Sequence, residues 1–527
     1  MSRPNLAAGD LLPLVRRLGG APDPVALHAA LTEGGTRPDT LFFESADAAT
    51  GQGEKSLLLP RTMLRIEGRG REVRVTALTP NGRALRAWLA TALPAPARVT
   101  HDGDVLVVHY PDRAASGEDE HARLRASGPL DVLRTLALRP TLVSTPTPLA
   151  HLVAGIFAYD LVDQFERLPA PAADPLAFPD FLCWVPEQVL VLDHVHHATT
   201  IVSHVVGGPD AEASYHDAVR SIETLTRAVQ GAGAAVPPPA PPQAGAAQAD
   251  LDDAEFAALV AHLQRHLVAG DVFQIVASRT FRLPCADPFA AYQRLRLANP
   301  SPYMFFVRAP DAVLLGASPE TAVRVQGPSR MVSLRPIAGT APRGRDATGA
   351  IDPELDARLQ AALLTDAKEL AEHMMLVDLA RNDIARVSLP GTRRVRELLA
   401  VDRYQHVMHL VSEVEGMLAP DLDALHAYAA SLNMGTLVGA PKSRAATLLR
   451  QHERDKRGPY GGAVGYLARD GALDTAIIIR SALVREGVAH VRAGAGIVLD
   501  SDPATEAMET RRKAAAVLGA IGGGHQP

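Results

Sequence analysis

Cysteine is scarce in this sequence: its 527 residues contain two, Cys183 and Cys285. They lie far apart and form no CxxC pair. A disulfide framework and a zinc site are therefore poorly supported. This usage fits a reducing compartment, and we expect a cytoplasmic protein.

Long apolar runs and blocks of positive charge are also missing. No run of about 18 apolar residues occurs, so we expect no membrane span. The N-terminus has no apolar core of signal-peptide length before Arg16 and Arg17. The net charge of -6, without a Lys/Arg block, argues against a nucleic-acid partner. What remains is a globular composition with material for about two to four domains.

A Pro-, Ala- and Gly-rich segment divides the sequence. Residues 231–249, GAGAAVPPPAPPQAGAAQA, show no apolar period and indicate a flexible linker. We expect an N-terminal region at 1–230 and a second region at 250–527. Strand and helix signals alternate without the regular spacing of parallel units. This favours an α+β fold, a large mixed one with mainly antiparallel sheets, over a doubly wound sheet.

Apolar residues at three- and four-residue steps predict an amphipathic helix over Thr365–Val387. Its predicted apolar stripe consists of Leu370, Met374, Val377, Ala380 and Ile384. Asp366 is placed to cap this helix, with Glu369 as its partner in a capping box. Glu369 and Glu372 share one side near the helix start.

A second acidic pair lies near the C-terminus. Glu506 and Glu509 follow Asp502 and Pro503, a typical helix start. If the two acidic pairs converge, they repel unless a cation lies among them, and such oxygen ligands suit Mg²⁺. The alternative is two solvated helix surfaces, with Glu509 paired to Lys513.

Other residues are candidates for binding an anion. The glycines of Arg492–Ile497, RAGAGI, either let backbone N–H groups approach an anion or form a ligand-free tight turn. Arg480 lies inside the predicted strand Thr475–Val484 and needs a partner, either a bound carboxylate or an internal salt bridge. Tyr460, in a predicted turn, can donate a second hydrogen bond to such a carboxylate, or its side chain can simply pack in the loop.

Two residues are candidates for proton transfer. Glu320 follows a Ser-Pro turn at a predicted strand end, where functional side chains often lie. His409 is the other candidate, although a histidine with only a structural role is the usual alternative.

Together these stretches resemble the chorismate-utilising enzymes, and most closely anthranilate synthase component I. The resemblance covers nearly the whole chain except the linker and is strongest from Val272 onward. The matching stretches are PIAGT (336–340), LTDAKELAEHMMLVDLARND (364–383), GAPK (439–442), GPYGGAVGYL (458–467) and RAGAGIV (492–498).

The resemblance implies three groups of site residues. Mg²⁺ ligands are implied at Glu372 and Glu509, supported by Glu369 and Glu506. Chorismate contacts are implied at Gly339, Thr340, Tyr460, Arg480, Gly494, Ala495 and Gly496. Catalytic roles are implied at Glu320, the acid for the departing hydroxyl, at His409, linked to pyruvate loss, and at Gln274 and Thr436. Gln274 stands where water-adding relatives carry a lysine base.

The resemblance also implies a partner and a regulator. Ammonia would come from a separate glutamine amidotransferase component II in a hetero-oligomer, and the products would be anthranilate and pyruvate. The stretch FFES at 42–45 stands where the family usually has LLES, part of an allosteric tryptophan site. That site is implied at Glu44, Ser45, Lys55, Pro302, Tyr303 and Met304. Phe42 and Phe43 depart from the family pattern.

Three rival functions remain open. Aminodeoxychorismate synthase component I characteristically has lysine where this chain has Ala338. An aminodeoxyisochorismate synthase would add ammonia but stop before pyruvate is lost. A non-catalytic tryptophan-binding regulator would keep the fold alone, which the full set Glu320, Glu372, His409 and Glu509 disfavours.

Overall fold

The computed structural model describes residues 6–45, 54–112, 119–143, 147–241, 245–404 and 407–522. Within these ranges the strands are β1 Asp10–Gly19, β2 Thr40–Glu44, β3 Lys55–Arg69, β4 Glu72–Ala77, β5 Arg98–Asp102, β6 Val105–His109, β7 Thr141–Leu142, β8 Leu152–Phe157, β9 Phe181–Asp193, β10 Ala198–Val206, β11 Gln248–Ala249, β12 Gln274–Pro284, β13 Tyr303–Arg308, β14 Ala312–Ser318, β15 Thr321–Val325, β16 Met331–Leu334, β17 Ile337–Pro342, β18 Arg394–Arg403, β19 Val407–Met417, β20 Gly439–Ala440, β21 Ala463–Ala468, β22 Leu473–Ile477, β23 Ser481–Arg485 and β24 Val488–Ile497.

The helices lie between these strands and after them. They are α1 Pro24–Leu31, α2 Pro80–Ala92, α3 Glu120–Arg125, α4 Leu130–Leu138, α5 Ala211–Gly231, α6 Asp253–Val268, α7 Pro288–Ala298, α8 Pro353–Thr365, α9 Ala367–Ala385, α10 Ala424–Ser431, α11 Gly435–Val438, α12 Lys442–His452 and α13 Pro503–Ile521, with a 3-10 helix at Tyr159–Gln164. No helix among the described residues is both long enough and apolar enough to cross a membrane.

Two long neighbouring strands, β3 and β9, connect two sheets, one of which continues from β3 and the other from β9. They pair antiparallel, with shifts of register between Leu58 and Leu64. Such irregularities bend a strand and increase its twist. From β3 one sheet runs through β2, β13, β14, β23, β24 and β12. From β9 the other runs through β8, β21, β22, β15, β16 and β19, with β17 and β18 also on β19.

Nearly all of these ladders are antiparallel; the short β1–β7 pair is parallel. An apolar cluster lies between the two sheets, with Trp184, Phe305 and Ile478 among its buried members. Helices including α7 and α13 pack on one sheet, and helices including α9 and α10 pack on the other. The predicted α+β fold with mainly antiparallel sheets is confirmed.

The chain crosses between the two sheets at two adjacent places. Residues 319–320 join β14 to β15, and residues 478–480 join β22 to β23. The two crossings are hydrogen-bonded to their neighbours: the Ala317 N–H donates to the Arg480 carbonyl at 3.1 Å, and the Ile477 N–H to the Glu320 carbonyl at 3.0 Å. Glu320 and Arg480 therefore both lie where the sheets meet.

One prediction of local structure near this point was wrong, and one of the two alternatives for the nearby glycines is not observed. The single strand over Thr475–Val484 is two strands, because β22 pairs with β15 and β21 whereas β23 pairs with β14 and β24. Arg480 lies in the connection, with a φ of 49°. The glycines of Arg492–Ile497 do not form a turn: they lie within β24, paired with β12.

The helix predicted over Thr365–Val387 is α9, with two differences. Asp366 caps it by accepting from the Lys368 and Glu369 N–H groups, but Glu369 does not complete a capping box. Its carboxylate accepts from the Thr340 N–H at 3.3 Å instead. Met374 is exposed, whereas His373 takes a buried position because both its ring nitrogens are hydrogen-bonded.

Both sheets contain strands from either side of the predicted linker. β2 pairs with β13, and β8 pairs with β21. Residues 242–244 of the linker lie outside the described residues, and its last two residues form β11, paired with β12. The linker thus divides the sequence but not the sheets.

Candidate active site

Glu320 lies buried at the first crossing between the sheets. Its Oε1 accepts a hydrogen bond from the Thr436 hydroxyl at 3.0 Å. Burial raises the pKa of Glu320 to about 8, although Thr436 and Lys513 act in the opposite direction. The carboxyl is therefore protonated near neutral pH and can act as a general acid.

Arg480 lies at the second crossing and has no ion-pair partner within the described chain. Burial lowers its pKa, while nearby Glu509 and Tyr460 favour its charged form. Tyr460 is buried, and burial raises its pKa to about 12, so its hydroxyl keeps its proton. A guanidinium without a protein partner beside a phenol is suited to a carboxylate of a ligand.

The glycines of β24 let neighbouring side chains approach the strand closely. A Cβ at Gly494 would lie 2.8 Å from the Tyr460 hydroxyl, and a Cβ at Gly496 would lie 3.0 Å from the Gln274 amide nitrogen. Larger residues would therefore displace Tyr460 or Gln274. Ala495 is fully buried in an apolar cluster on the opposite face of the strand, so only its backbone is available to a ligand.

Gln274 begins β12 opposite Ala440. Its side chain is buried, and its Oε1 has no hydrogen-bond partner among the described residues. A buried amide oxygen without a donor is costly. A small N–H donor bound next to it would satisfy this oxygen.

Gly339, Thr340 and His409 lie together on β17 and β19, which pair at Thr340 and His409. The Thr340 hydroxyl and His409 Nδ1 are 2.9 Å apart. Burial lowers the pKa of His409, so its imidazole is uncharged at neutral pH. Gly339 has a φ of 91°, which favours glycine. His373 Nδ1 donates to the Ala338 carbonyl at 3.0 Å and ties this segment to α9.

The four acidic side chains come from the N-terminal parts of α9 and α13. Burial raises the pKa of Glu372, and neighbouring Glu369 and Glu506 raise it further. No three of these carboxylates, as described, bring oxygens within 4.8 Å of one another. Lysines neutralise part of the charge: Lys368 lies 3.9 Å from Glu372 and Lys513 lies 3.3 Å from Glu509. Carboxylate oxygens of this kind are the donor type that suits a hard divalent cation.

Lys513 has more contacts in the site than a surface partner of Glu509 would have. Its amine also donates to the Gly494 carbonyl at 3.1 Å, and its charge lowers the pKa of Glu320 and of Glu372. It thus links the glycine strand, the acid and the carboxylates. Its spacing of four residues from Glu509 was the available signal.

The six residues implied for tryptophan binding line one cavity of about 540 Å³. They are Glu44, Ser45, Lys55, Pro302, Tyr303 and Met304. The Glu44 carboxylate is already engaged, since it accepts from the Tyr292 hydroxyl at 2.5 Å and from the Arg296 Nε at 2.8 Å.

The two phenylalanines of FFES face opposite ways, as neighbours in a strand do. Phe43 lines the cavity. Phe42 is fully buried in another cluster, where its ring stacks on His28 with centroids 4.9 Å apart. Of the two departures from the family pattern, only Phe43 is placed to touch a ligand in the cavity.

Comparison with known proteins connects this geometry to a family. The family model for chorismate binding enzyme matches residues 97–519. The pyocyanine-specific anthranilate synthase component 1 of Pseudomonas aeruginosa is 53% identical over 91% of this chain and 89% of its own length. Anthranilate synthase component 1 of Escherichia coli is 46% identical over 95% of each chain.

A solved structure gives the same result. The crystal structure of anthranilate synthase component I from Streptococcus pneumoniae superposes with a TM-score of 0.69 at 29% identity, covering 88% of this chain and 92% of that one. The predicted resemblance and the prediction of an enzyme are confirmed. The chain belongs to the chorismate binding enzyme family, in the group whose members are named anthranilate synthase component 1.

Proposed function

We propose that this chain converts chorismate and ammonia to anthranilate and pyruvate. The observation that carries the proposal is Glu320, a buried carboxyl that keeps its proton near neutral pH beside the Thr436 hydroxyl. Elimination of a ring hydroxyl requires such a proton donor, since hydroxide is a poor leaving group. The names and coverage of the relatives support the same reaction.

The substrate has two carboxylates, and we assign each a cationic partner. Arg480, with no ion pair among the described residues, and the Tyr460 hydroxyl suit one of them. Glu369, Glu372, Glu506 and Glu509 would hold Mg²⁺ for the other. When bound, this ion would neutralise the carboxylate and orient the ring. Gly494 and Gly496 let Tyr460 and Gln274 lie close against β24, next to the proposed binding position.

The reaction divides into two steps. In the first, ammonia forms a bond to C2 of chorismate while the bond from C4 to its hydroxyl breaks, and Glu320 supplies the proton that makes the leaving group water. Gln274 Oε1, without a partner among the described residues, suits an ammonia N–H. In the second step C2 loses its proton while the bond from C3 to the enolpyruvyl oxygen breaks, and the released enolpyruvate takes up a proton at its methylene carbon to become pyruvate. His409, uncharged and beside Thr340, is suited to accept a proton there.

The cysteines support an external source of ammonia. Both are buried, and burial raises the pKa of Cys183 and raises that of Cys285 to about 11. Neither thiol is suited to attack glutamine, because the thiolate is the nucleophile. We therefore propose that a glutamine amidotransferase component II supplies ammonia in a hetero-oligomer.

We also propose that tryptophan binds in the 540 Å³ cavity and inhibits the enzyme. The cavity volume suits a ligand of this size. Apolar side chains such as Leu149 and Met304 can contact an indole ring, and charged groups such as Lys55 can contact a carboxylate.

The direct test uses the purified chain with chorismate, Mg²⁺ and an ammonium salt. Anthranilate is fluorescent, and we expect its formation together with one equivalent of pyruvate. Release of pyruvate requires the full reaction, which separates it from the aminodeoxyisochorismate synthase rival. An aminated product that retains the enolpyruvyl group, or no turnover at all, would refute the proposal.

A further inference from the structure

A cluster of three histidines lies outside the candidate active site. His262 and His266 are one turn apart on α6, and His452 ends α12. Each offers a ring nitrogen, and the three nitrogens lie within 4.8 Å of one another. The rings of His262 and His452 are closest, with centroids 4.6 Å apart. Of the side chains that the structure describes, these form the one group of three or more histidine, cysteine or acidic residues gathered so closely.

His266 has the kind of hydrogen-bond partner that metal-ligating histidines usually have. Its Nδ1 lies 2.7 Å from the Asp271 carboxylate, which leaves Nε2 as the ring nitrogen available to a metal ion. Asp271 in turn lies 2.9 Å from the Arg444 guanidinium. A carboxylate behind a ligating imidazole is the common second layer of zinc sites.

The donor atoms of the cluster suit a transition-metal ion. Three imidazoles from two helices match the ligands that Zn²⁺ accepts at about 2.0–2.1 Å. Small rotations of the side chains would bring the nitrogens to the shorter spacing that tetrahedral coordination requires, with a fourth position left to water.

The two helices that supply the histidines flank the start of β12. α6 leads through residues 269–273 to Gln274, and α12 follows directly on β20, which pairs with Gln274 and Ile275. The two segments are joined there by a hydrogen bond of 2.7 Å from the Phe273 N–H to the Ala440 carbonyl. An ion held by both helices would brace this corner of the fold.

We propose that His262, His266 and His452 bind one transition-metal ion of the Zn²⁺ class and that the ion clamps α6 to α12. Asp271 is a positioning residue that orients His266. The site is independent of the proposed reaction, because it shares no residue with the candidate active site.

The test is a calorimetric titration of the full chain with Zn²⁺ in excess Mg²⁺, so that sites with oxygen ligands are already occupied. We expect one equivalent to bind. His452→Ala and His262→Ala should each weaken binding by about 100-fold or more, and Asp271→Asn by about 10- to 100-fold. His216→Ala, on the exposed face of α5, is the matched control and should bind Zn²⁺ unchanged.

A second measurement separates binding from misfolding. Zn²⁺ should raise the Tm of the wild type and of His216→Ala, because an ion that binds only the folded state stabilises it. It should not raise the Tm of His452→Ala or His262→Ala, whose circular dichroism without metal should match the wild type. Equal Zn²⁺ affinity in the wild type and the three histidine variants would overturn the proposal. Weak binding of several Zn²⁺ ions that the histidine changes do not affect would overturn it too.

Discussion

The Thr436 hydroxyl donates a hydrogen bond to the Oε1 of Glu320 at 3.0 Å. This bond favours the ionised form of the Glu320 carboxyl, whereas burial favours its protonated form. If Glu320 is the acid, activity should fall as the pH rises through about 8. Thr436→Val removes the bond, so the pKa of Glu320 should rise and the alkaline limb should move to higher pH. Profiles of kcat against pH for the two proteins check this; an unmoved limb would contradict it.

Glu320→Gln should be inactive yet more stable than the wild type at pH 7. The unfolded carboxyl ionises above its ordinary pKa of 4.5, whereas the folded one keeps its proton to about 8. This difference in pKa lowers the free energy of unfolding of the wild type. The loss grows as the pH rises from 4.5 towards 8 and reaches about 3 kcal/mol at pH 7. Urea unfolding at pH 7 should show the gain, and unfolding near pH 4.5 should show almost none. If Glu320→Gln and the wild type are equally stable at pH 7 as well as at pH 4.5, the raised pKa is refuted.

Arg480→Lys should raise KM for chorismate by about 10- to 100-fold, since an ammonium cannot form the two parallel hydrogen bonds of a guanidinium. Steady-state kinetics with varied chorismate measure the change. Arg485→Lys, five residues later, is the control, because Arg485 forms a surface pair with Asp311 at 3.0 Å. Equal KM values for both variants would exclude Arg480 from carboxylate binding.

Phe43→Leu should strengthen inhibition by tryptophan, because a smaller side chain leaves more room in the cavity that Phe43 lines. Phe42→Leu should leave inhibition unchanged but destabilise the fold by about 1 kcal/mol, since it removes volume from a packed core. Inhibition curves and urea unfolding of both variants separate the two effects. The reverse pattern would mean that the ligand does not enter this cavity.

Glu372→Ala should abolish Mg²⁺-dependent turnover and leave the fold intact. Glu372 lies among like charges that raise its pKa, so its loss removes repulsion as well as an oxygen ligand. Activity against Mg²⁺ concentration and a thermal melt without metal provide the two readouts. Asp378→Ala on the same helix is the control, because Asp378 is largely exposed and pairs with Arg381. Full activity of Glu372→Ala would return this residue to a surface role.

Local sequence patterns predicted the elements that depend on near neighbours. The helix with Glu369 and Glu372 begins after its Asp366 cap, and the helix with Glu506 and Glu509 begins at Pro503, after its Asp502 cap. Caps and three- to four-residue periods act within a single turn, so they can be read without the rest of the fold.

Local sequence patterns did not predict the break between β22 and β23. Ala476 to Ile479 is a continuous apolar run, and apolar runs predict strands without saying which sheet a strand joins. The partners decide this: β15 and β21 hold one half, and β14 and β24 hold the other. The same pairing places Gly494 and Gly496 in a strand beside Tyr460 and Gln274 rather than in a turn.

By itself, the sequence determined the family, the mixed antiparallel fold and the acidic pairs on two helix starts, because motif identity and short periods are local properties of the chain. Tertiary structure alone decided which groups meet. It left Arg480 at a crossing between sheets with no ion pair among the described residues, and it connected Lys513 to Gly494. It also raised the pKa of Glu320 through burial and gathered His262, His266 and His452. Burial and proximity between distant segments arise only when the sheets and helices pack, and both the candidate acid and the candidate metal site depend on them.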